Sequence, residues 1–263
     1  MMSGPRTRTQ RLQVAGLACL LVTAFATAPA PAAGTEAEAS EQWDLLFYSD
    51  SLGWFVAEKW AERIEDELGI DVVVHDFARG DLKAVEIDDW LAPGGKHHEL
   101  LAEAEIISIF GNPRGSGTVA DSETCVSNST TSREPPAAYT KADWAGYQDV
   151  MRSIYDSVFE ARAGQPTIVR AMDFALPVVA EWKEAGIYTE CLRELSLMNE
   201  VIAETAAEYD VPVVSAFAAF NGPDHDEDPK EKGWIGSDRI HPSAEGQDAI
   251  VEAFHAVGYE PLP

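Results

Sequence analysis

The chain has 263 residues, 46% of them hydrophobic, enough for one large globular core. A formal net charge of -26 repels phosphate backbones and anionic headgroups, so nucleic acid is excluded as an expected partner. Beyond the N-terminal stretch, no segment approaches the ~20 apolar residues that a transmembrane segment needs.

At the start of the chain, Arg6, Arg8 and Arg11 precede an apolar run over residues 12–28, and Ala30-Pro31-Ala32 follows. That is the layout of a secretory signal peptide over residues 1–32. Cys19 lies inside the run, but Gly16 stands where a lipoprotein signal would have leucine, and no Arg-Arg pair supports a twin-arginine signal. The mature protein is therefore expected to be secreted, to an extracellular or periplasmic space. Cleavage would remove three arginines and no acids, taking the formal charge to about -29. Residues 33–41 read as a polar spacer and residues 42–263 as a single domain. Cys125 and Cys191 are left to form one disulfide or none, since their spacing does not decide it. Asn128-Ser129-Thr130 fits the glycosylation acceptor pattern.

From residue 43 onward, short apolar runs alternate with helical periods. The runs 43–48, 71–75, 105–110, 166–172 and 211–217 read as strands buried on both faces. Between them, Val56, Trp60 and Ile64 recur every four residues. Trp144, Tyr147, Met151, Ile154 and Val158 form a longer stripe, Leu195, Met198, Ile202 and Ala206 another, and a last helix covers 243–257 with Ile250 and Phe254 inward. Five strands alternating with helices predict a five-stranded parallel sheet in a three-layer α/β/α sandwich of the flavodoxin-like kind. In such a sheet the working residues gather at the carboxyl ends of the strands.

Two stretches stand out at those ends. Phe47-Tyr48-Ser49-Asp50-Ser51-Leu52 is an apolar run that stops in a tight turn before a helical pattern, which would set the Ser51 hydroxyl at a helix start. Near the C-terminus, Asp238 and His241 are three apart in a turn, so the carboxylate can accept the imidazole Nδ1–H and leave Nε2 outward. Serine needs such a base to become a nucleophile, and the base works best when a carboxylate fixes its tautomer. The third requirement is a set of donors for the developing oxyanion. Gly80 after the second strand and Asn112 after the third stand where such donors belong.

Taken together, these four ordered blocks resemble the SGNH hydrolase family, the GDSL esterases and lipases. Ser49-Asp50-Ser51-Leu52 is similar to the family's Gly-Asp-Ser-Leu, and Asp238-Arg239-Ile240-His241-Pro242 to its Asp-x-x-His-Pro. The resemblance implies a catalytic Ser51, Asp238 and His241, with an oxyanion hole from the Ser51 N–H, Gly80 and Asn112. Serine replaces the usual glycine at position 49, and Asn112 follows Gly111 directly where the family has one residue between them.

Other chemistries lack their signatures. Gly-x-Ser-x-Gly is absent, His98-Glu99-Leu100-Leu101 ends at Ala102 without a second zinc-binding histidine, and no phosphate-binding loop occurs. His97 and His98 read as surface residues near a helix start, and residues 224–228 as a solvated acidic loop. The expected protein is a secreted serine esterase needing no metal or organic cofactor, acting on a small-molecule, lipid or carbohydrate ester; a non-catalytic binding module on the same fold is the alternative. The long segment from residue 112 to 136 is expected to shape the substrate cleft.

Overall fold

The computed structural model describes residues 41–116, 125 and 138–261. The expected leader, all of the spacer but its last residue, the 128–130 acceptor site and most of the 112–136 segment lie outside the described residues. Five strands make one parallel sheet in the order β2-β1-β3-β4-β5: β1 is Gln42–Tyr48, β2 Asp71–Asp76, β3 Ile106–Ile109, β4 Ile168–Met172 and β5 Val213–Val214. The chain steps from β1 outward to β2 and then crosses back to β3, so the order reverses between β1 and β3. Ligands of open α/β sheets bind at such a reversal.

Helices cover both faces. On one, α1 (Val56–Leu68) packs on α8 (Ala244–Val257), and α7 (Ala216–Asn221) joins them. On the other lie α2 (Ala84–Leu91), α3 (His98–Glu103), α4 (Lys141–Ala161), α5 (Val179–Ala185) and α6 (Tyr188–Glu208). The alternation of β1 side chains divides the core between them. Phe47 meets Trp60 of α1 and Phe254 of α8, while Tyr48 stacks on Phe77 and faces Trp90 of α2. Val56, Trp60 and Ile64 are fully buried, as their four-residue recurrence requires.

The last strand is much shorter than the apolar run 211–217 predicts. Ser215 ends it: its hydroxyl accepts from Ala218 N, caps α7, and turns the chain out of the sheet. The apolar run continues because the new helix is buried too, with Phe217 and Phe220 in the core. Periodicity also passes over the short helices α2, α5 and α7, none of which exceeds eight residues.

Two long-range ties fasten the periphery. Arg170, fully buried in β4, donates to the carbonyls of Val169, Gly258 and Glu260, holding the tail that follows α8 against the sheet. Cys125 and Cys191 form a disulfide, and Glu194, one turn along α6, accepts from the backbone N–H groups of Cys125 and Tyr139. Both ends of the segment between them are thus held to one helix. A crosslink spanning 66 residues removes unfolded-state entropy equivalent to about 4 kcal/mol. Cys125→Ser is expected to lower the free energy of unfolding by about 2–4 kcal/mol in denaturant titrations, and dithiothreitol should do the same to the wild type but nothing to the variant.

Candidate active site

The carboxyl end of β1 is hydrogen-bonded on both sides. Phe47 O accepts from Phe77 N and Ser49 O from Arg79 N, while Tyr48 O accepts from Phe110 N. The turns that follow β1, β2 and β3 are therefore set side by side. After Tyr48 the chain passes through Ser49 and Asp50 into a single 3-10 turn, Ser51–Gly53, and α1 begins only at Val56. The donors near Ser51 are thus those of the short turn, not of α1 as the sequence predicts. Asp50 is the cap, accepting from Leu52 N at 2.8 Å. The Ser51 hydroxyl and its backbone N–H make no hydrogen bond to another described residue.

Ser49 is fully buried with an unpartnered hydroxyl. Its room comes from Gly53, where an added Cβ would lie 2.3 Å from Ser49 Oγ. After β2, the backbone N–H of Gly80 is also unpartnered among the described residues. A Cβ there would meet only Trp54 Cζ2, at 3.9 Å, so packing does not demand glycine. Asn112 is fixed by a parallel bridge to Lys83: its N–H donates to Leu82 O and its carbonyl accepts from Ala84 N. Gly111 is the residue that permits this approach, since its Cβ would sit 2.6 Å from Ala84 Cα. Asn112 Oδ1 accepts from Arg114 N, and its Nδ2 donates to no described residue. Arg114 and Asp81 form an ion pair between the second and third turns.

The loop carrying the fourth block is closed on itself by Gly236 N to His241 O at 2.8 Å and by a bridge between Ile235 and Pro242. Asp238 does two jobs in it. One carboxylate oxygen accepts from the Ile240 and His241 backbone N–H groups, each at 3.0 Å, and the other pairs with His241 Nδ1 at 2.7 Å. The first two donors and the imidazole hold its carboxyl down at about 2, so it is ionised throughout the neutral range. The His241 ring stacks on Trp54, with centroids 4.5 Å apart and planes at 29°. Trp54 is three residues past Ser51 and also flanks Gly80, so one indole touches both the imidazole and the second turn. No hydrogen bond joins Ser51 to His241. Sequence reasoning missed Trp54; its only signal was an aromatic placed directly after the turn.

Burial pushes Asp50 up to about 6, against the lowering effect of the Leu52 N–H; Asp81 adds to the rise, and His241 and Arg114 oppose it. The carboxylate is thus felt by a residue from each of the other three blocks. Asp173, after β4, is likewise raised by burial to about 6, while Ser215 Oγ and Phe217 N donate to it. His97 corrects an expectation. It is buried, not on the surface, because its ring stacks 4.1 Å from Phe77 and its Nδ1 meets the Tyr48 hydroxyl at 3.2 Å. Among the described residues no three ligating side chains gather as a metal site, and the acidic loop finds its own partners: Glu227 pairs with Lys232, and Asp228 accepts from Ala180 N and Lys230 N.

No protein-family model matches the sequence, and no curated protein matches it. Solved structures do. A lipase from a goat rumen metagenome is 19% identical over 84% of this chain and 99% of its own, with a TM-score of 0.59. An acetyl xylan esterase from Geobacillus stearothermophilus is 15% identical over 85% and 98%, with a TM-score of 0.53. A lipase/acylhydrolase from Enterococcus faecalis is 13% identical over 84% and 98%, with a TM-score of 0.51. The chain therefore has the three-layer α/β/α fold of these lipases and esterases, the fold that the SGNH resemblance implies.

A buried carboxylate with a raised pKa binds its proton more tightly in the folded than in the unfolded chain. Asp50 and Asp173 therefore favour the fold at acid pH and lose that contribution as pH rises from about 4 to about 6. Denaturant unfolding is expected to show lower stability at pH 7 than at pH 5 by about 1 kcal/mol per group, and Asp173→Asn should flatten the profile in that window.

Proposed function

We propose that the protein is a secreted serine esterase that hydrolyses carboxylic esters through an acyl-enzyme intermediate. The observation that most supports this reading is the meeting of chain ends. The imidazole of His241, bonded to Asp238 at 2.7 Å, stacks on a tryptophan three residues beyond Ser51. Ser51 Oγ attacks the acyl carbon as His241 Nε2 takes its proton, forming the C–O bond of a tetrahedral species. The Ser51 N–H, Gly80 N–H and Asn112 Nδ2, three donors with no partner among the described residues, receive the oxyanion. His241 then protonates the departing alcohol. Water repeats the two steps on the acyl-enzyme, releasing the acid and restoring the serine.

The ionised Asp238 holds the imidazole's tautomer and stabilises its charged form. Trp54 is a positioning residue, limiting rotation of the ring about its link to Asp238. The disulfide fits an oxidising, extracytoplasmic compartment.

A fluorophosphonate should label the wild type at Ser51 and leave Ser51→Ala untouched, with turnover of short nitrophenyl esters reduced by at least about a thousandfold in the variant. Folded protein that forms no adduct would instead support the binding module. Trp54→Ala is expected to slow turnover about tenfold, in line with the ~1 kcal/mol worth of a ring pair, while Trp54→Phe recovers most of the rate in steady-state assays.

A further inference from the structure

A cavity of about 630 Å³ opens beside the second turn, lined by Asp76, Phe77, Arg79, Trp90, Lys96 and His97. That volume suits a small organic ligand. Its groups are gathered around one indole: Lys96 Nζ is 3.5 Å from the Trp90 ring centroid, the Arg79 guanidinium 5.3 Å and the His97 ring 5.0 Å. Arg79 is ion-paired with Glu86, but Lys96 has no carboxylate partner among the described residues. An unpaired cation beside an arginine is unusual on a chain with a formal charge of -26.

The hydrogen-bonding inventory is also lopsided. Burial and the neighbouring Lys96 hold the His97 pKa below its ordinary value. The Tyr48 hydroxyl and His97 Nδ1 meet at 3.2 Å, which leaves Nε2 as the ring's other polar atom. Arg79 and Lys96 supply donors. The acceptor is Asp76, whose Oδ1 takes the Ala78 N–H at 2.7 Å and whose Oδ2 has no donor among the described residues. The Arg79 and Lys96 donors, beside one spare acceptor on Asp76, match a carboxylate with an adjacent hydroxyl, and Phe77 and Trp90 offer apolar surface to the ligand's body.

The cavity wall and the second turn are consecutive in sequence. Arg79 lines the cavity, its N–H is bound to Ser49 O, and Gly80 follows it. The geometry points to this cavity as a subsite for a hydroxylated carboxylate of the uronic-acid kind, held as the part of an ester substrate next to the bond that is cleaved. The assignment rests on the esterase reading for its place in the reaction, but not for the binding itself.

Calorimetric titration of the intact protein with D-glucuronate, and with D-glucose as the neutral comparator, tests the binding. Glucuronate should bind and glucose should not. Binding should weaken between ~20 mM and ~500 mM salt, and Lys96→Gln and Arg79→Gln should each weaken it at least about tenfold, with melting temperatures showing that both variants fold. Absent glucuronate binding, or equal binding of glucose, overturns the inference. A second measurement compares kcat/KM for acetylated methyl glucuronoside and acetylated methyl glucoside, where a preference of about tenfold for the acid is expected. Hydrolysis of both without preference leaves the esterase standing and removes the subsite. Glucuronate binding without hydrolysis of either glycoside supports the site while counting against the esterase.

Discussion

Three backbone hydrogen bonds at the carboxyl end of β1 govern the arrangement of the turns that carry the proposed site. Phe47 O, Tyr48 O and Ser49 O each accept from the neighbouring chain, two toward the turn after β2 and one toward the turn after β3. Because parallel strands register residue against residue, fixing these carbonyls fixes how far each flanking chain runs before it turns. The donors of Ser51, Gly80 and Asn112, unpartnered among the described residues, emerge where the sheet's own pairing stops. Side chains reinforce the arrangement: Asp81 and Arg114 bind the outer turns to each other, and Trp54 fills the space between the first turn and the loop of His241.

The sheet was legible in the sequence because its strands are apolar runs; the central strands β3 and β4 are buried throughout, whereas the edge strand β2, expected to be buried on both faces, is half-exposed because, among the described residues, no strand covers its outer side. Residues 45–48, for instance, show an unbroken apolar run and are all fully buried. The same property hid the end of β5, since α7 is equally buried and only the cap at Ser215 marks the change. Long helices announced themselves by stripes, whereas α2 and α5 offer two turns or fewer. Among the candidate site residues, the Asp238–His241 pairing follows from a spacing of three within one turn. Long-range relations were not legible. Nothing in the sequence near Trp54 indicates a histidine almost two hundred positions later, nor does His97 signal that it belongs under Phe77 and Tyr48.

The distribution of charge is uneven in a useful way. Most carboxylates are solvated or paired at the surface, but Asp50 and Asp173 lie buried at the carboxyl ends of β1 and β4, where Asp50 accepts from Leu52 N in the turn that follows and Asp173 from Phe217 N at the start of α7. Burial opposes their ionisation and the donors offset part of that cost. Asp50 fastens its own turn and Asp173 the start of α7, so the carboxyl edge of the sheet is held by polar groups, while Arg170 holds the C-terminal tail. The cavity at Arg79 and Lys96, with Asp76 in its lining, lies outside this pattern, beside the turn after β2.

The space beside Gly53 ties the first turn to the core. A Cβ there would lie 2.3 Å from Ser49 Oγ and 2.8 Å from Phe47 Cε1, so two neighbours, one polar and one aromatic, close the position to any side chain. Trimming Ser49 would relieve only the first of these contacts. Tolerance at 53 therefore depends jointly on residue 49 and on the packing of the Phe47 ring, and changes at these three positions should not combine additively.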